Sequence, residues 1–202
     1  NESKVVSYQK KEVIFHSRSR TKTVYFVYSG EVMLYNLTKH GNRKVIFILG
    51  KGRLLNQSIV SKKPNALFCE AACPVQVIEI AEKQFLQLME QSHALTRAVL
   101  REYERNLWRM GHQLKNTTGN MQMERKIAAK LWKLGRDFGV DTEDGVMIDI
   151  DLTITLMADL VGAPRENVSR ACKVLTDRGL IRYGNKRFIL IDFDGLAEFY
   201  KM

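Results

Sequence analysis

Arg165, Glu166, Ser169 and Arg170 are the group in this 202-residue sequence best placed to read the edge of a ligand. At about 100° per residue on a helix, with Arg165 at zero, the four fall within an arc that ends near 140°. Val168, Ala171, Cys172 and Leu175 fall between about 240° and 340°. A helix over Pro164 to Arg178 would therefore bury one side and present Arg-Glu-Ser-Arg on the other. Arginine offers two parallel donors to guanine O6 and N7, and a carboxylate accepts from cytosine N4 in the major groove. Glu166 is the most telling of the four. An acid on a face that approaches phosphates is repelled unless it reads a base or positions an arginine that does. The competing reading is a surface helix with one Glu-Arg pair four residues apart.

The neighbouring segments position that helix. Thr153 suits the N-cap of a short helix through Val161 that Gly162 stops. Its Met157, Leu160 and Val161 supply the apolar surface against which Val168 and Leu175 can pack. Pro164 suits the first position of the next helix, and Gly179 closes it after Arg178. Two strands follow, Leu180 to Tyr183 and Arg187 to Ile191, joined by the hairpin signal Gly184-Asn185-Lys186. Helix, tight turn, helix and hairpin make a winged helix-turn-helix. Lys186 and Arg187, at the hairpin tip, are expected to touch phosphate. Ahead of this lies an amphipathic helix from Met121 to Phe138, with Ile127, Ala128, Leu131, Trp132 and Leu134 inward, and then an acidic loop from Asp141 to Gly145.

The first eighty residues follow a different pattern. Short runs rich in Val, Ile, Phe and Tyr occur at Glu12 to Phe15, Thr23 to Tyr28, Glu31 to Leu37, Lys44 to Leu49, Ala66 to Ala71 and Val75 to Ile80. Gly30, His40-Gly41-Asn42 and Gly50-Lys51-Gly52 punctuate them, which predicts an antiparallel sandwich or barrel. At Glu82 the period changes to that of helix. Leu100, Tyr103, Leu107, Met110, Leu114, Thr117 and Met121 then alternate in steps of three and four, a heptad seam. Period alone leaves a dimer seam and a helix packed on its own domain equally open. Asn116 to Asn120 is the expected break, with Thr117 outside the helix.

Charge is distributed unevenly. Residues 1–120 hold 19 Lys and Arg against 9 acids, all Glu, whereas residues 121–202 hold 13 of each. Within the second part, seven acids and no base lie between Asp137 and Asp159, and seven bases with two acids lie between Pro164 and Arg187. That local excess of five positive charges is the footprint expected of a nucleic-acid surface. Three cysteines exclude a disulfide framework and suit a reducing compartment. No apolar run reaches the roughly 20 residues of a membrane helix. The sequence opens at Asn1, and no signal-peptide pattern is read at its start.

The stretch Thr153 to Gly184 resembles a family of bacterial transcription regulators, those typified by the cyclic-AMP receptor protein and the fumarate and nitrate reductase regulator. The residues that carry the likeness are Asp159-Leu160-Val161-Gly162 and Arg165-Glu166-Asn167-Val168-Ser169-Arg170. Tyr25-Phe26-Val27-Tyr28-Ser29-Gly30-Glu31-Val32 is similar to the family's sensor-domain signature, and Gly50-Lys51-Gly52-Arg53-Leu54-Leu55 to its later turn. The likeness spans nearly all of the chain in the family's order. It implies an α+β fold: an N-terminal antiparallel β-roll of the jelly-roll, cyclic-nucleotide-binding-like kind over residues 1–90, a long dimerisation helix over 91–118, and a C-terminal winged helix-turn-helix over 119–202.

The resemblance also implies a cytoplasmic homodimer joined through Leu100, Tyr103, Leu107, Met110 and Leu114, with a double-stranded DNA operator and RNA polymerase as partners. It matches Arg165, Glu166 and Arg170 to base-reading positions and Ser169 to one used by the fumarate and nitrate branch. Thr153 and Lys173 join these with Lys186 and Arg187 in the DNA-facing set. Half-sites resembling the family's TGA-containing sequences are expected. Leu55, Asn56, Gln57, Asn65, Ala66, Tyr103 and Leu107 are the candidates for an effector pocket.

The departures from the family matter equally. A buried cyclic phosphate wants a fixed guanidinium and a hydroxyl, and the family supplies an Arg-Ser pair for it and a Gly-Glu pair for the ribose. Here Asn65-Ala66 and Asn56-Gln57 stand at those places, so an effector other than cyclic AMP is expected. Iron–sulfur ligation needs about four cysteines, and only Cys69, Cys73 and Cys172 are present. Cys69 and Cys73 would lie about 13 Å apart in extended chain, beyond the roughly 7 Å a bridge allows. His16, His40, His93 and His112 give no close pair for a cupin metal; haem ligation by one of them stays open, and the cofactor is unassigned. No enzyme chemistry is expected. The alternative function is a small-molecule-binding or cupin-like module whose helical part serves protein contacts.

Overall fold

The computed structural model describes residues 3–118 and 121–201. They fall into two compact units. One runs up to Thr38 and resumes over Ile46–Leu114, and the other holds Lys39–Val45 and the chain from Lys115 on.

The first unit is built on two antiparallel sheets. Strands β1 (Ser3–Tyr8), β7 (Val75–Ala81) and β3 (Thr23–Ser29) form one, in the order β1-β7-β3. Strands β2 (Val13–Phe15), β6 (Phe68–Ala71), β4 (Val32–Leu37) and β5 (Arg43–Leu49) form the other, in the order β2-β6-β4-β5. Alternate residues of these β-branched and aromatic runs turn inward, and Phe15, Tyr25, Val27, Val32, Leu34, Phe47, Leu49, Cys69, Val75 and Val77 make a single core. Gly30 closes the β3–β4 turn at φ +79°, where a Cβ would stand 2.6 Å from the Pro74 carbonyl oxygen, so only glycine fits.

Helix α1 (Glu82–Gln91) and helix α2 (His93–Thr118) follow. Phe85 and Val99 from these helices pack with Val24, Leu54 and Ile59, with Leu95 and Tyr103 alongside. One face of the long helix therefore belongs to its own β-roll.

The second unit carries α3 (Met123–Phe138), a hairpin of β8 (Gly139–Thr142) and β9 (Gly145–Ile148), α4 (Ile154–Val161), α5 (Arg165–Asp177), a second hairpin of β10 (Ile181–Gly184) and β11 (Arg187–Leu190), and α6 (Phe193–Lys201). Its sheet runs β10-β11-β9-β8. Ile127, Leu131, Ile148, Leu152, Met157, Val168, Leu175, Ile181, Phe188, Leu190 and Leu196 are wholly shielded. Each contributes about 1.5–3 kcal/mol by burial. Asn185 and Lys186 both have positive φ, the two-residue turn that a twisted hairpin requires.

Several elements differ from the sequence expectation. The run Ser3–Tyr8 is a strand that the sequence reading passed over. It lies at a sheet edge with most side chains exposed, held by backbone pairing to β7 and by Tyr8 and Lys4 on Glu79, so it lacks a strong apolar alternation. The acidic loop expected over Asp141 to Gly145 is the turn of the β8–β9 hairpin, whose β8 side chains are all exposed. A C-terminal helix, α6, was also missed. Asp192 starts it by accepting from the Gly195 N–H, Phe193 stacks on Trp132, and Leu196 and Ala197 are buried. Helix α2 continues through Thr118, past the break expected at Asn116 and with Thr117 inside it. Gly119 and Asn120, at the far side of that expected break, lie outside the described residues. Pro164 caps α5 rather than opening it.

Candidate nucleic-acid interface and effector region

The helix-turn-helix is set by two local devices. Thr153 Oγ1 accepts from the Leu156 N–H at 3.1 Å and starts α4. Gly162 ends it in the left-handed conformation at φ +72°, with its N–H on the Ala158 carbonyl, and the chain turns into α5. Helix α5 buries Val168, Ala171, Cys172 and Leu175, while Arg165, Glu166, Ser169, Arg170 and Lys173 are exposed. The wheel drawn from the sequence is thus the face the fold presents. Arg170 donates to Asn167 Oδ1 at 2.5 Å, which fixes its guanidinium one turn from the helix start. Burial pushes the Cys172 thiol up to about 11, as befits a core residue.

The wing stands against the start of α4, because the Leu152 N–H donates to the Lys186 carbonyl at 2.7 Å. Thr153, Lys186 and Arg187 are gathered at one place by this bond. Lys186 is exposed, whereas Arg187 is half-buried and paired with Asp149. Arg182, one strand away, is paired with Asp144. These acid partners were missed from the sequence, although the acidic run beside the basic run was their signal.

In the first unit, the predicted effector residues do not all come together. Asn56 is buried, and its amide is used by the fold: Oδ1 accepts from the Tyr25 N–H at 2.8 Å and Nδ2 donates to the Thr23 carbonyl at 2.9 Å. Its carbonyl takes the Tyr103 hydroxyl at 3.4 Å, and Gln57 beside it donates to the Leu55 carbonyl. Burial pushes the Tyr103 hydroxyl up to about 12. Arg53 and Glu102 pair nearby at 2.8 Å. Asn65 is buried elsewhere, bonded through its backbone to Arg18 and Ser19, and Ala66 is exposed with its carbonyl taking the Ser17 hydroxyl. Leu55 belongs to the β-roll core. Leu107 does not join any of them: it is 72% exposed, because it faces away from the β-roll on α2.

The heptad seam also divides. Leu100, Leu107, Met110 and Leu114 are exposed by 55%, 72%, 47% and 63%. Tyr103, expected in the same seam, is half-buried and packs against the β-roll cluster that holds Phe85 and Val99. Trp108, which the heptad reading left out, stands on the outer face with its ring 4.0 Å from that of His112.

Cys73 is bound to Glu31: its thiol donates to Oε2 at 2.9 Å and receives the Glu31 N–H. Burial first, and then the bond to the Glu31 carboxylate, push the Cys73 thiol up to about 11. Cys69 is buried in the core. Among the described residues no group of three His, Cys, Asp or Glu side chains converges as a metal would need, and no helix is long and apolar enough to cross a membrane.

A β-roll, a long helix with an exposed apolar stripe, and a winged helix-turn-helix define a DNA-binding regulator with an effector-binding domain. The family described as cyclic nucleotide-binding domain matches residues 5–92, and the Crp-like helix-turn-helix domain matches residues 125–199. The cAMP-activated global transcriptional regulator CRP of Haemophilus influenzae is 25% identical over 188 residues, spanning 91% of this chain and 82% of that protein. The global nitrogen regulator of a Nostoc species is 23% identical over 186 residues, spanning 91% and 83%. FixK2 of Bradyrhizobium japonicum superposes with a TM-score of 0.84 at 19% identity, over 98% of this chain and 97% of that one. The chain belongs to the CRP/FNR family of DNA-binding transcription regulators.

Proposed function

We propose that the chain works in the cytoplasm as a homodimer that reads an operator with α5 and answers to an effector other than cyclic AMP. It is a regulator and not an enzyme, and RNA polymerase is its partner at the promoter. The observation that carries this reading is the division of α5: an apolar face locked on α4, and Arg165, Glu166, Ser169, Arg170 and Lys173 left to solvent. Arg165 and Arg170 read guanine, and Glu166 reads cytosine or orients an arginine. Thr153, Lys186 and Arg187 serve the phosphate backbone. Two copies join along Leu100, Leu107, Met110 and Leu114, which are too apolar to be left in water.

The effector reading rests on chemistry. The Haemophilus influenzae relative is cAMP-activated by name, and a cyclic phosphate held in the family's manner needs a guanidinium and a hydroxyl where this chain has Asn65 and Ala66. The Asn56 amide is already committed to the backbone of β3. The test of the reading is selection from a random duplex pool with the full chain. Enrichment of a two-fold symmetric sequence supports it, and a pool that stays random sinks it.

A further inference from the structure

The acidic run beside the wing is not spread over solvent. Pairing of β9 with β11, Ile189 opposite Met147 and Leu190 opposite Val146, brings the end of one hairpin to the base of the other. Asp149, just past β9, reaches Arg187, and Asp144 in the β8–β9 turn reaches Arg182. The Leu152–Lys186 bond holds that same wing tip against the N-terminus of α4, whose first N–H groups and positive dipole end favour an anion. Arg187, assigned above to the phosphate backbone, and Arg182, on the paired strand of the same wing, are therefore already held by carboxylates of their own unit.

We propose that Asp149 and Asp144 compete with DNA phosphate for Arg187 and Arg182. They hold the wing arginines in the free protein, give them up when a phosphate arrives, and so lower affinity for duplexes of every sequence while leaving discrimination to α5. The pairs are open to solvent in good part, with side-chain accessibilities of 35% and 52% for Arg187 and Asp149 and 49% and 60% for Arg182 and Asp144, so they are weak enough to exchange. A phosphate offers an arginine the same two-pronged acceptor that a carboxylate does. The inference rests on the reading of this unit as a duplex binder.

The test is a salt series with the full chain on a selected operator and a scrambled duplex, using wild type, Asp149→Asn, Arg187→Ala and the double variant, and the corresponding set at Asp144 and Arg182. Asp149→Asn should raise affinity for both duplexes alike, by about two- to fivefold at low salt. It should steepen the slope of log affinity against log salt by up to about one unit. The selected-to-scrambled ratio should stay as it is, and the gain should vanish in the Arg187→Ala background. An unchanged slope and affinity would overturn the proposal. So would an equal gain in the Arg187→Ala background, since the acid would then act by general repulsion. A wild-type chain that binds neither duplex overturns the reading beneath it as well.

Discussion

Arg165 and Lys186 are both exposed cations of the second unit, yet their removal should read out differently. Arg165→Ala or Arg170→Ala should weaken the selected operator by about 1–3 kcal/mol and relax preference at one base pair per half-site. Lys186→Ala should weaken all duplexes alike and flatten the salt slope by about one unit. Glu166→Ala takes a negative charge off the same face, so affinity for scrambled duplex should hold or rise while discrimination falls; an unchanged ratio, read by competition titration, makes Glu166 a bystander. At Cys73 the prediction concerns pH. Its thiol is held up first by burial and then by the Glu31 carboxylate, so Glu31→Gln should lower it, enlarge the thiolate fraction at pH 8 and speed alkylation as followed by mass spectrometry. The face of α5 was legible because helical spacing alone orients side chains. The commitment of Asn56 to β3 and of Arg187 to Asp149 was not, because both partners are distant in sequence and come together only through sheet pairing.

At the scale of elements, α4 and α5 act as one body through their shared apolar face. Leu175→Ala should cost about 2–5 kcal/mol, seen as a lower melting temperature with the exposed face chemically intact. The α2 seam makes a separate prediction. Leu107→Glu would put two carboxylates into an apolar stripe and should give a monomer by sedimentation with operator affinity lost; a variant that remains dimeric refutes the seam. Elements with strong period and caps were readable: Thr153 and Gly162 bound α4 as expected. Of the elements that were missed, β1, β8 and α6 draw their stability from backbone pairing at an edge or from aromatic packing on a distant helix, neither of which leaves a local pattern, and β9 is a four-residue strand too short to show an alternation. Tyr103 shows the limit of a heptad: steps of three and four mark an apolar helix side without saying which partner covers it.

At the scale of the whole molecule, the order of β-roll, long helix and winged helix was legible because each part has its own period, 2 or 3.6, and its own turn residues. The nature of the effector was not, since a pocket is made by segments far apart in the chain. Titration calorimetry with cyclic AMP should show no tight, saturable binding, because Asn65 and Ala66 supply neither the guanidinium nor the hydroxyl of a phosphate cradle. The central claim is that this chain reads duplex DNA, and the most direct measurement is affinity for the selected operator and for a scrambled duplex of equal length across a salt series. Both affinities should fall steeply and linearly on a log–log scale, with the operator favoured by about a thousandfold or more at every salt. Equal affinities for the two duplexes, or an affinity that does not change with salt, would contradict it.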